Sequence, residues 1–473
     1  MAILSAYMVP HPPLIVPEIG KGREQTIKHT IDAYQETARR IGRQQPDTII
    51  LFSPHQIMYT DYFHISPGKG AKGDFSTFGA GHVKMEVSYD TNFVDKLCEL
   101  TDSASFPAGT YGERDRHLDH GTMVPLYFIN QYWQNYRLVR IGLSGLPLIR
   151  HYELGTYIQQ TAALLNRRVV LIASGDLSHR LKDDGPYGYQ KEGPEYDRRI
   201  MDVMERGAFL ELFSFSEDFC EKAGECGHRS FTIMAGALNG MGVLPERLSY
   251  EGPFGVGYGI CCYQVSGSDP ARDFRTQYES KQRNAFLQRQ KGEDSYIRLA
   301  RATIETYVRT GTIPDIPKDL PEEMYRRQAG VFVSIKEDGR LRGCIGTIQA
   351  VQNSIAEEII ANAVSASTKD PRFSPIEPWE LERLAISVDI LGEKEAIDSP
   401  AQLDPKRYGV IVTKGHKRGL LLPNLEGVDT VEEQISIAKN KAGIREKESA
   451  SLERFEVIRH EVSPAPQSNT SRE

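Results

Sequence analysis

The sequence predicts an α/β protein: an N-terminal domain with a largely parallel sheet and helices on both faces, followed by a smaller α+β C-terminal domain. Residues 48–52 and 169–173 are short apolar runs, and both are typical of buried strands. Residues 136–143 form a third, weaker pattern of this kind, and residues 22–41, before the first of these strands, have helical periodicity. Strands that alternate with helices favour a parallel sheet with helices on its faces.

The composition excludes several classes of protein. The 473 residues include 57 basic and 64 acidic side chains, a net charge of −7, which argues against a general binder of nucleic acid or of anionic membranes. No apolar run approaches the ~20 residues that span a bilayer, and the first residues lack the basic region of a signal peptide. Six cysteines without a regular spacing are typical of a reducing compartment. We therefore expect a cytoplasmic protein without a nucleic-acid or membrane partner.

The composition changes near residue 267, where a polar and charged stretch begins. We interpret residues 268–292 as a charged linker, with a solvated helix as the alternative. The predicted domains are then 1–267 and 293–462, and the small, polar tail at 463–473 is predicted to be disordered. In the second domain, strand-like runs lie at 331–335, 384–390, 408–413 and 419–422, and a helical run lies at 355–366.

Five histidines lie in segments marked by proline or glycine: His11, His55, His120, His179 and His228. Two of them, His55 and His179, come directly after predicted strands, and ligands of open α/β sheets bind beyond the carboxyl ends of the strands. Imidazole suits iron, zinc and copper, and a carboxylate would complete a set that leaves coordination positions open. A lone loop histidine is more often a hydrogen-bonding residue, so both interpretations stay open for each one.

The predicted metal ligands are His11, His55 and Glu225, with the adjacent Cys226 as the alternative to Glu225. His120 and His179 would then be available for proton transfer. Nearby carboxylates could orient these imidazoles or simply cap turns.

Four ordered motifs carry a family resemblance: Val9-Pro10-His11-Pro12-Pro13, Ser53-Pro54-His55, residues 119–126 and residues 174–179. They resemble the class III extradiol ring-cleavage dioxygenases of the LigB type, over about residues 1–266. The resemblance implies that His11, His55 and Glu225 bind iron. It also implies that His179 is the acid/base residue and that His120 faces the substrate.

The chain also departs from the dioxygenase pattern. Asp176 stands where these enzymes usually have glycine, and together with Cys226 it resembles the Memo proteins, a branch of the same fold. In that branch a cysteine follows two histidines in the metal site, and ring cleavage is not the expected activity.

Three functions follow as hypotheses. The first is a non-haem Fe(II)-dependent oxidoreductase that acts with O2 on a catechol-like or other small aromatic substrate, with zinc or copper as alternative metals. The second is a Memo-like metal- or ligand-binding module without dioxygenase turnover. The third is a metal-dependent hydrolase whose pocket activates water.

Residues 339–347, 370–375, 408–412 and 421–424 resemble the AMMECR-type domain, over about residues 293–462. That family has no assigned chemistry. Cys344, beside Arg342, is a candidate nucleophile, although a small residue in a tight strand is the commoner role. Asp370 and Arg372 could form a structural ion pair, and the arginines could equally bind an anion. These four residues make up a candidate second-domain site.

The fusion of the two domains resembles a bacterial and archaeal arrangement, the AmmeMemoRadiSam system. There the two domains accompany a radical S-adenosylmethionine protein. This chain has no CxxxCxxC cluster. The resemblance therefore implies that the radical protein is a separate partner.

Overall fold

The computed structural model describes residues 2–112, 117–337, 339–425 and 427–462. The chain divides into two compact units, Met1–Glu279 and Ser280–Glu473. The predicted disordered tail at 463–473 lies outside the described residues. None of the described helices is long and apolar enough to cross a membrane.

The N-terminal unit alternates strands and helices along the chain. Its strands are β1 (Ile3–Val9), β2 (Thr48–Ser53), β3 (Phe63–His64), β4 (Gly70–Phe75), β5 (Ala80–Ser88), β6 (Ala108–Gly109), β7 (Arg137–Gly142), β8 (Val169–Ser174), β9 (Met241–Glu251) and β10 (Tyr258–Ser268). Its helices are α1 (Pro17–Gly20), α2 (Lys28–Gln44), α3 (Thr91–Ser103), α4 (His120–Ile129), α5 (Leu148–Leu164), α6 (Glu192–Arg206), α7 (Glu217–Ala223) and α8 (His228–Ala237).

The main sheet has the strand order β7-β2-β8-β1-β10-β9 among the described residues. β7, β2, β8 and β1 run parallel, whereas β10 is antiparallel to both β1 and β9. The three apolar runs that the sequence indicates as strands form β2, β7 and β8. The predicted fold class is thus confirmed, with an antiparallel pair at one edge.

Helices cover both faces of this sheet because its central strands are apolar on both sides. In β8, Val169 and Leu171 lie in one core cluster, with side chains of α5 and α8. Val170 and Ile172 lie in a second cluster, with side chains of α2 and α4. Side chains of a strand alternate between the two faces, so a continuous apolar run requires a helical layer on each side.

Helix α9 (Phe274–Lys291) occupies most of the segment that the sequence indicates as a linker or a solvated helix. The division between the two units falls within it, after Glu279. In the N-terminal unit, the ring of Tyr278 lies 4.3 Å from that of Phe213. In the C-terminal unit, Arg283 forms a 3.1 Å ion pair with Glu382.

The C-terminal unit is α+β, as predicted. Its further helices are α10 (Ser295–Thr310), α11 (Glu322–Arg326), α12 (Ile355–Thr368) and α13 (Val431–Ala442). Its strands are β11 (Val331–Glu337), β12 (Arg340–Gly346), β13 (Leu384–Leu391), β14 (Glu395–Ile397), β15 (Gly409–Lys414), β16 (Lys417–Leu421), β17 (Ser451–Phe455) and β18 (Val457–His460). They form two antiparallel sheets, β12-β11-β13-β18 and β14-β17-β15-β16.

Candidate metal centre

The carboxyl ends of β1, β2 and β8 meet at one edge of the main sheet, and the candidate residues follow these strands. His11 comes two residues after β1, and His55 comes two residues after β2. His179 lies in the segment that follows β8. The loop before His11 is held by Tyr34 of α2, whose hydroxyl donates a hydrogen bond to the carbonyl oxygen of Pro10. The site therefore lies where open α/β sheets bind their ligands.

His11, His55 and Cys226 bring their ligand atoms together. One atom from each residue lies within 4.8 Å of the other two. The Nε2 atoms of His11 and His55 are 2.9 Å apart, and Cys226 Sγ is 3.6 Å from His11 Nε2. His11 is buried, whereas His55 is exposed to solvent. The three atoms are close enough to bind one ion.

Ser174, the last residue of β8, determines which nitrogen of His11 is free. Its hydroxyl donates a 2.6 Å hydrogen bond to the carbonyl oxygen of Gly121, so its proton is already used. The same oxygen lies 2.9 Å from His11 Nδ1 and accepts the N–H of that nitrogen. Nε2 of His11 therefore carries a lone pair towards His55 and Cys226. A hydrogen bond to the second ring nitrogen is the usual support of a metal-binding histidine.

The segment carrying Cys226 lies directly against β8 and its extension. A Cβ atom on Gly175 would fall 2.1 Å from the Cα atom of Gly227, so only glycine allows this approach. The amide of Asp176 donates to Cys226 Sγ at 3.2 Å, and the amide of Cys226 donates to the Asp176 carbonyl at 3.3 Å. Oδ1 of Asp176 in turn accepts from the amide of His11 at 2.7 Å. Asp176 thus holds two of the three ligand residues in place.

Glu225 is not part of this group. Its carboxylate accepts a 2.6 Å hydrogen bond from the amide of His228 at the start of α8. Burial raises the pKa of Glu225, and the hydrogen bond from His228 opposes that shift. Of the two alternatives for the third ligand, the structure places Cys226 beside the histidines and turns the Glu225 carboxylate towards α8.

His120 lies at the first position of α4, with its ring centroid 3.9 Å from that of His55. The preceding residue, Asp119, caps the helix by accepting from the amide of Thr122. Asp119 also accepts from the Ser53 hydroxyl and forms a 3.0 Å ion pair with Arg140. Burial raises the pKa of Asp119, but Arg140 and these hydrogen bonds outweigh it and lower the pKa overall. Asp119 therefore fixes the start of α4, and with it His120.

His179 is partly buried, and its ring stacks on Tyr187 with a centroid distance of 5.1 Å. Burial lowers the pKa of His179, against the opposing charge of Asp176. Burial also lowers the pKa of His120, to about 3, with further contributions from His55 and His11. Both imidazoles are therefore neutral near pH 7.

The chemistry of the donor set fits a transition-metal ion. Burial lowers the pKa of both His11 and His55, and a neutral imidazole is the form that binds metal. Burial raises the pKa of the Cys226 thiol well above its usual value, and a cation beside it favours the thiolate. Two imidazoles and one thiolate suit iron, zinc or copper.

Sequence reasoning missed two supporting residues. Ser174 ends an apolar strand, and only the folded chain brings Gly121 next to its hydroxyl. Arg140 lies inside the predicted strand at 136–143, with its side chain 1% exposed. A charged residue within an apolar strand was the available signal, because such a charge requires a buried partner.

In the C-terminal unit, three of the four candidate residues lie together. Asp370 Oδ2 accepts from the amide of Cys344 at 2.8 Å and pairs with Arg372 at 2.7 Å. Arg342 instead pairs with Glu380 at 2.7 Å. The structure thus directs the guanidinium of Arg342, two residues before Cys344, to Glu380.

Known families account for both units. Residues 5–261 match the catalytic LigB subunit of aromatic ring-opening dioxygenase. The chain belongs to the LigB family. Residues 297–463 match the AMMECR1 family, so this LigB chain has the predicted fusion of the two domains.

Relatives include proteins with and without this fusion. A Clostridium acetobutylicum protein is 42% identical over 471 residues, covering 98% of this chain and all of the relative. A Thermotoga maritima protein is 50% identical over 171 residues, covering 36% of this chain and 98% of the relative. Among solved structures, an uncharacterized protein from Pyrococcus horikoshii is 33% identical, with a TM-score of 0.33, and covers 36% of this chain and 89% of its own.

Proposed function

We propose that the N-terminal unit is a metal-dependent oxidoreductase that acts with O2 on a small aromatic diol. The convergence of His11, His55 and Cys226 carries this proposal, together with membership of the LigB family. We propose Fe(II) as the metal, with zinc and copper as alternatives. When bound, iron or copper would supply redox chemistry, and each of the three ions would supply open coordination positions for small oxygen ligands.

The surrounding residues support proton transfer at this site. His179 is neutral near pH 7 and is proposed to accept a proton from a substrate hydroxyl. Tyr187 stacks on its ring and restricts its orientation. His120 lies against His55 and is proposed to hydrogen-bond an oxygen of the substrate.

A second candidate function is a Memo-like metal-binding module without turnover, acting with a separate radical S-adenosylmethionine protein. The observation that favours it is the position of Cys226. Two histidines and one carboxylate are typical of non-haem Fe(II) oxygenases, whereas a thiolate is a softer ligand that suits Cu(I) or zinc. Here the thiol lies beside the histidines and the Glu225 carboxylate does not.

The test is metal analysis after anaerobic purification, followed by O2 uptake with a panel of catechols. Iron at about one ion per chain with uptake and a ring-opened product supports the oxidoreductase. A tightly bound metal without uptake supports the binding module. The variant His11→Ala should lose the metal, whereas His82→Ala, at an exposed position in β5, should keep it. Equal metal content in both variants and the natural chain would contradict both functions.

A further inference from the structure

The backbone that carries His179 is held by the residue before it, Ser178, which is fully buried. The Ser178 hydroxyl donates to the carbonyl of Ala223 at 2.7 Å and accepts from the amide of Arg180 at 2.9 Å. The carbonyl of Ser178 accepts from the amide of Gly257 at 2.8 Å. His179 therefore lies in a short turn that is closed by the hydroxyl of its neighbour.

The remaining polar group of Ser178, its amide, is held by Asp197 of α6. Oδ1 of Asp197 accepts from this amide at 2.8 Å, and Oδ2 accepts from the hydroxyl of Tyr250 in β9, also at 2.8 Å. Asp197 is 1% exposed, and a Cβ atom on Gly257 would fall 2.0 Å from its Oδ2. The carboxyl group is thus packed against the backbone next to β10, and it fixes the Ser178 amide there.

Ser178 also joins the His179 segment to the segment that carries a metal ligand. Ala223, whose carbonyl accepts from Ser178, is the last residue of α7 and lies three residues before Cys226. The hydrogen bond from the amide of Asp176 to Cys226 Sγ is a second connection between the same two segments. The position of the His179 backbone relative to the thiol is therefore set at two points.

We propose that Ser178 and Asp197 are positioning residues for His179, which hold its backbone so that the imidazole meets the substrate hydroxyl. This inference rests on the proposed function, in which His179 accepts the proton of that hydroxyl. Neither positioning residue touches the substrate; both act through the backbone of the turn. A catalytic group displaced by about 1 Å can lose about 10²-fold in rate, so the loss of either residue should lower kcat.

Asp197 acts through its two acceptor oxygens and not through a charge. It forms no ion pair with any residue in the described part of the chain, and burial raises its pKa to about 7. An asparagine at this position keeps an oxygen for the Ser178 amide, and its nitrogen can donate to the Tyr250 hydroxyl. Asp197→Leu instead leaves the buried Ser178 amide without an acceptor. The two substitutions therefore separate hydrogen bonding from the mere filling of space.

The first test is steady-state O2 uptake with a catechol by the metal-loaded, full-length variant Ser178→Ala. We expect kcat to fall about 10- to 100-fold while KM changes by less than about twofold. The metal content should stay constant, because the amide of Asp176 still holds Cys226. The matched control is Ser5→Ala, which removes a buried hydroxyl of β1 that donates to Gln44 and should leave kcat unchanged.

The Asp197 variants extend this test. Asp197→Leu should lower kcat as Ser178→Ala does, and Asp197→Asn should recover most of the natural value. Circular dichroism checks that the variants keep their fold, and Ser178→Ala decides if Asp197→Leu does not fold. A kcat of Ser178→Ala equal to that of Ser5→Ala would overturn the inference. An equal loss in Asp197→Asn and Asp197→Leu would overturn the role of the acceptor oxygens.

The second test needs neither metal nor turnover, so it separates this inference from the proposed function. In the metal-free, full-length chain with ¹³C-labelled histidine, the His179 ring resonance should be shifted by the stacked ring of Tyr187, 5.1 Å away. Tyr187→Leu gives the unstacked value. Ser178→Ala and Asp197→Leu should move the resonance towards that value, whereas Asp197→Asn should not.

The two tests have distinguishable failures. A natural chain that binds metal but takes up no O2 with any catechol would refute the proposed function, and the resonance of His179 would then decide the positioning alone. An unchanged resonance in both Ser178→Ala and Asp197→Leu would overturn the inference, whatever the outcome of the O2 measurement.

Discussion

The backbone of Gly175 touches that of Gly227, with no room for a side chain between them. This contact brings the segment carrying Cys226 against the end of β8. Gly175→Ala should therefore push the thiol away from the histidines and weaken metal binding by about 10- to 100-fold. Overpacking should also cost about 1–3 kcal/mol of unfolding free energy. Titration with a competing chelator measures the affinity, and Gly42→Ala in α2 is the control. An unchanged affinity in Gly175→Ala would show that this contact does not position the thiol.

Adjacent residues give a sharper test of the ligand set. Cys226→Ala should remove one ligand atom and lose most of the metal, whereas Glu225→Gln should retain it. Glutamine keeps an acceptor for the amide of His228, so the start of α8 should remain intact. Metal content by mass spectrometry decides between them. The opposite result, with metal lost only in Glu225→Gln, would show that the third ligand is Glu225 and not Cys226.

Substitution of His179 should lower turnover and leave the metal content unchanged. His179→Gln removes a proposed general base, for which the expected loss of rate is about 10²–10⁴-fold. Because the imidazole is not in the group of ligand atoms, the metal content should stay nearly constant. O2 uptake and metal analysis on the same preparation separate the two effects. A variant that loses its metal would contradict the role assigned to His179.

The buried imidazole of His151 should make the stability of the N-terminal unit depend on pH. Burial lowers its pKa to about 3, with a smaller contribution from Arg229. In the unfolded chain the pKa returns to about 6.5, so below that pH only the unfolded chain takes up the proton. The unfolding free energy should therefore fall as pH drops from 6.5 towards 3, by about 1.4 kcal/mol per pH unit from this residue.

Urea denaturation of the metal-free protein across this pH range tests the expectation. His151→Gln should flatten the slope, whereas His29→Gln, at an exposed position in α2, should not. The two variants would show the same slope if the buried imidazole did not contribute.

The domain division also remains a prediction that can be tested. Limited proteolysis should cut first within residues 280–292, where α9 is exposed and highly charged. Both N-terminal fragments, 1–267 and 1–279, should fold and bind metal. The longer one should be more stable by about 1–3 kcal/mol, because it keeps the contact between Tyr278 and Phe213. Failure of 1–279 to fold or to bind metal would show that the site needs the C-terminal unit.

Sequence reasoning succeeded where local pattern is sufficient. A continuous apolar run specifies a strand that is buried on both faces, so β2 and β8 were predictable from their own residues. The choice between Glu225 and Cys226 was not predictable in this way. Neighbouring side chains point in different directions, and which one faces the histidines depends on the contact between Gly175 and Gly227. That contact joins segments about 50 residues apart.

The same limit applies in the C-terminal unit. Arg342 lies two residues before Cys344, and in a regular strand the two side chains would share a face. The register between β12 and β11 shifts between Gly343 and Leu341, and the Arg342 guanidinium bonds to Glu380 whereas Cys344 Sγ lies beside Ser334.

The ion pair between Asp119 and Arg140 has a consequence for how this family varies. Arg140 belongs to the outermost parallel strand of the main sheet, yet its charge compensates the carboxylate that starts α4 and positions His120. A neutral residue at 140 would leave Asp119 as an uncompensated buried charge. A substitution at either position should therefore be accompanied by a substitution at the other. Homologues that lack the arginine should also lack the aspartate.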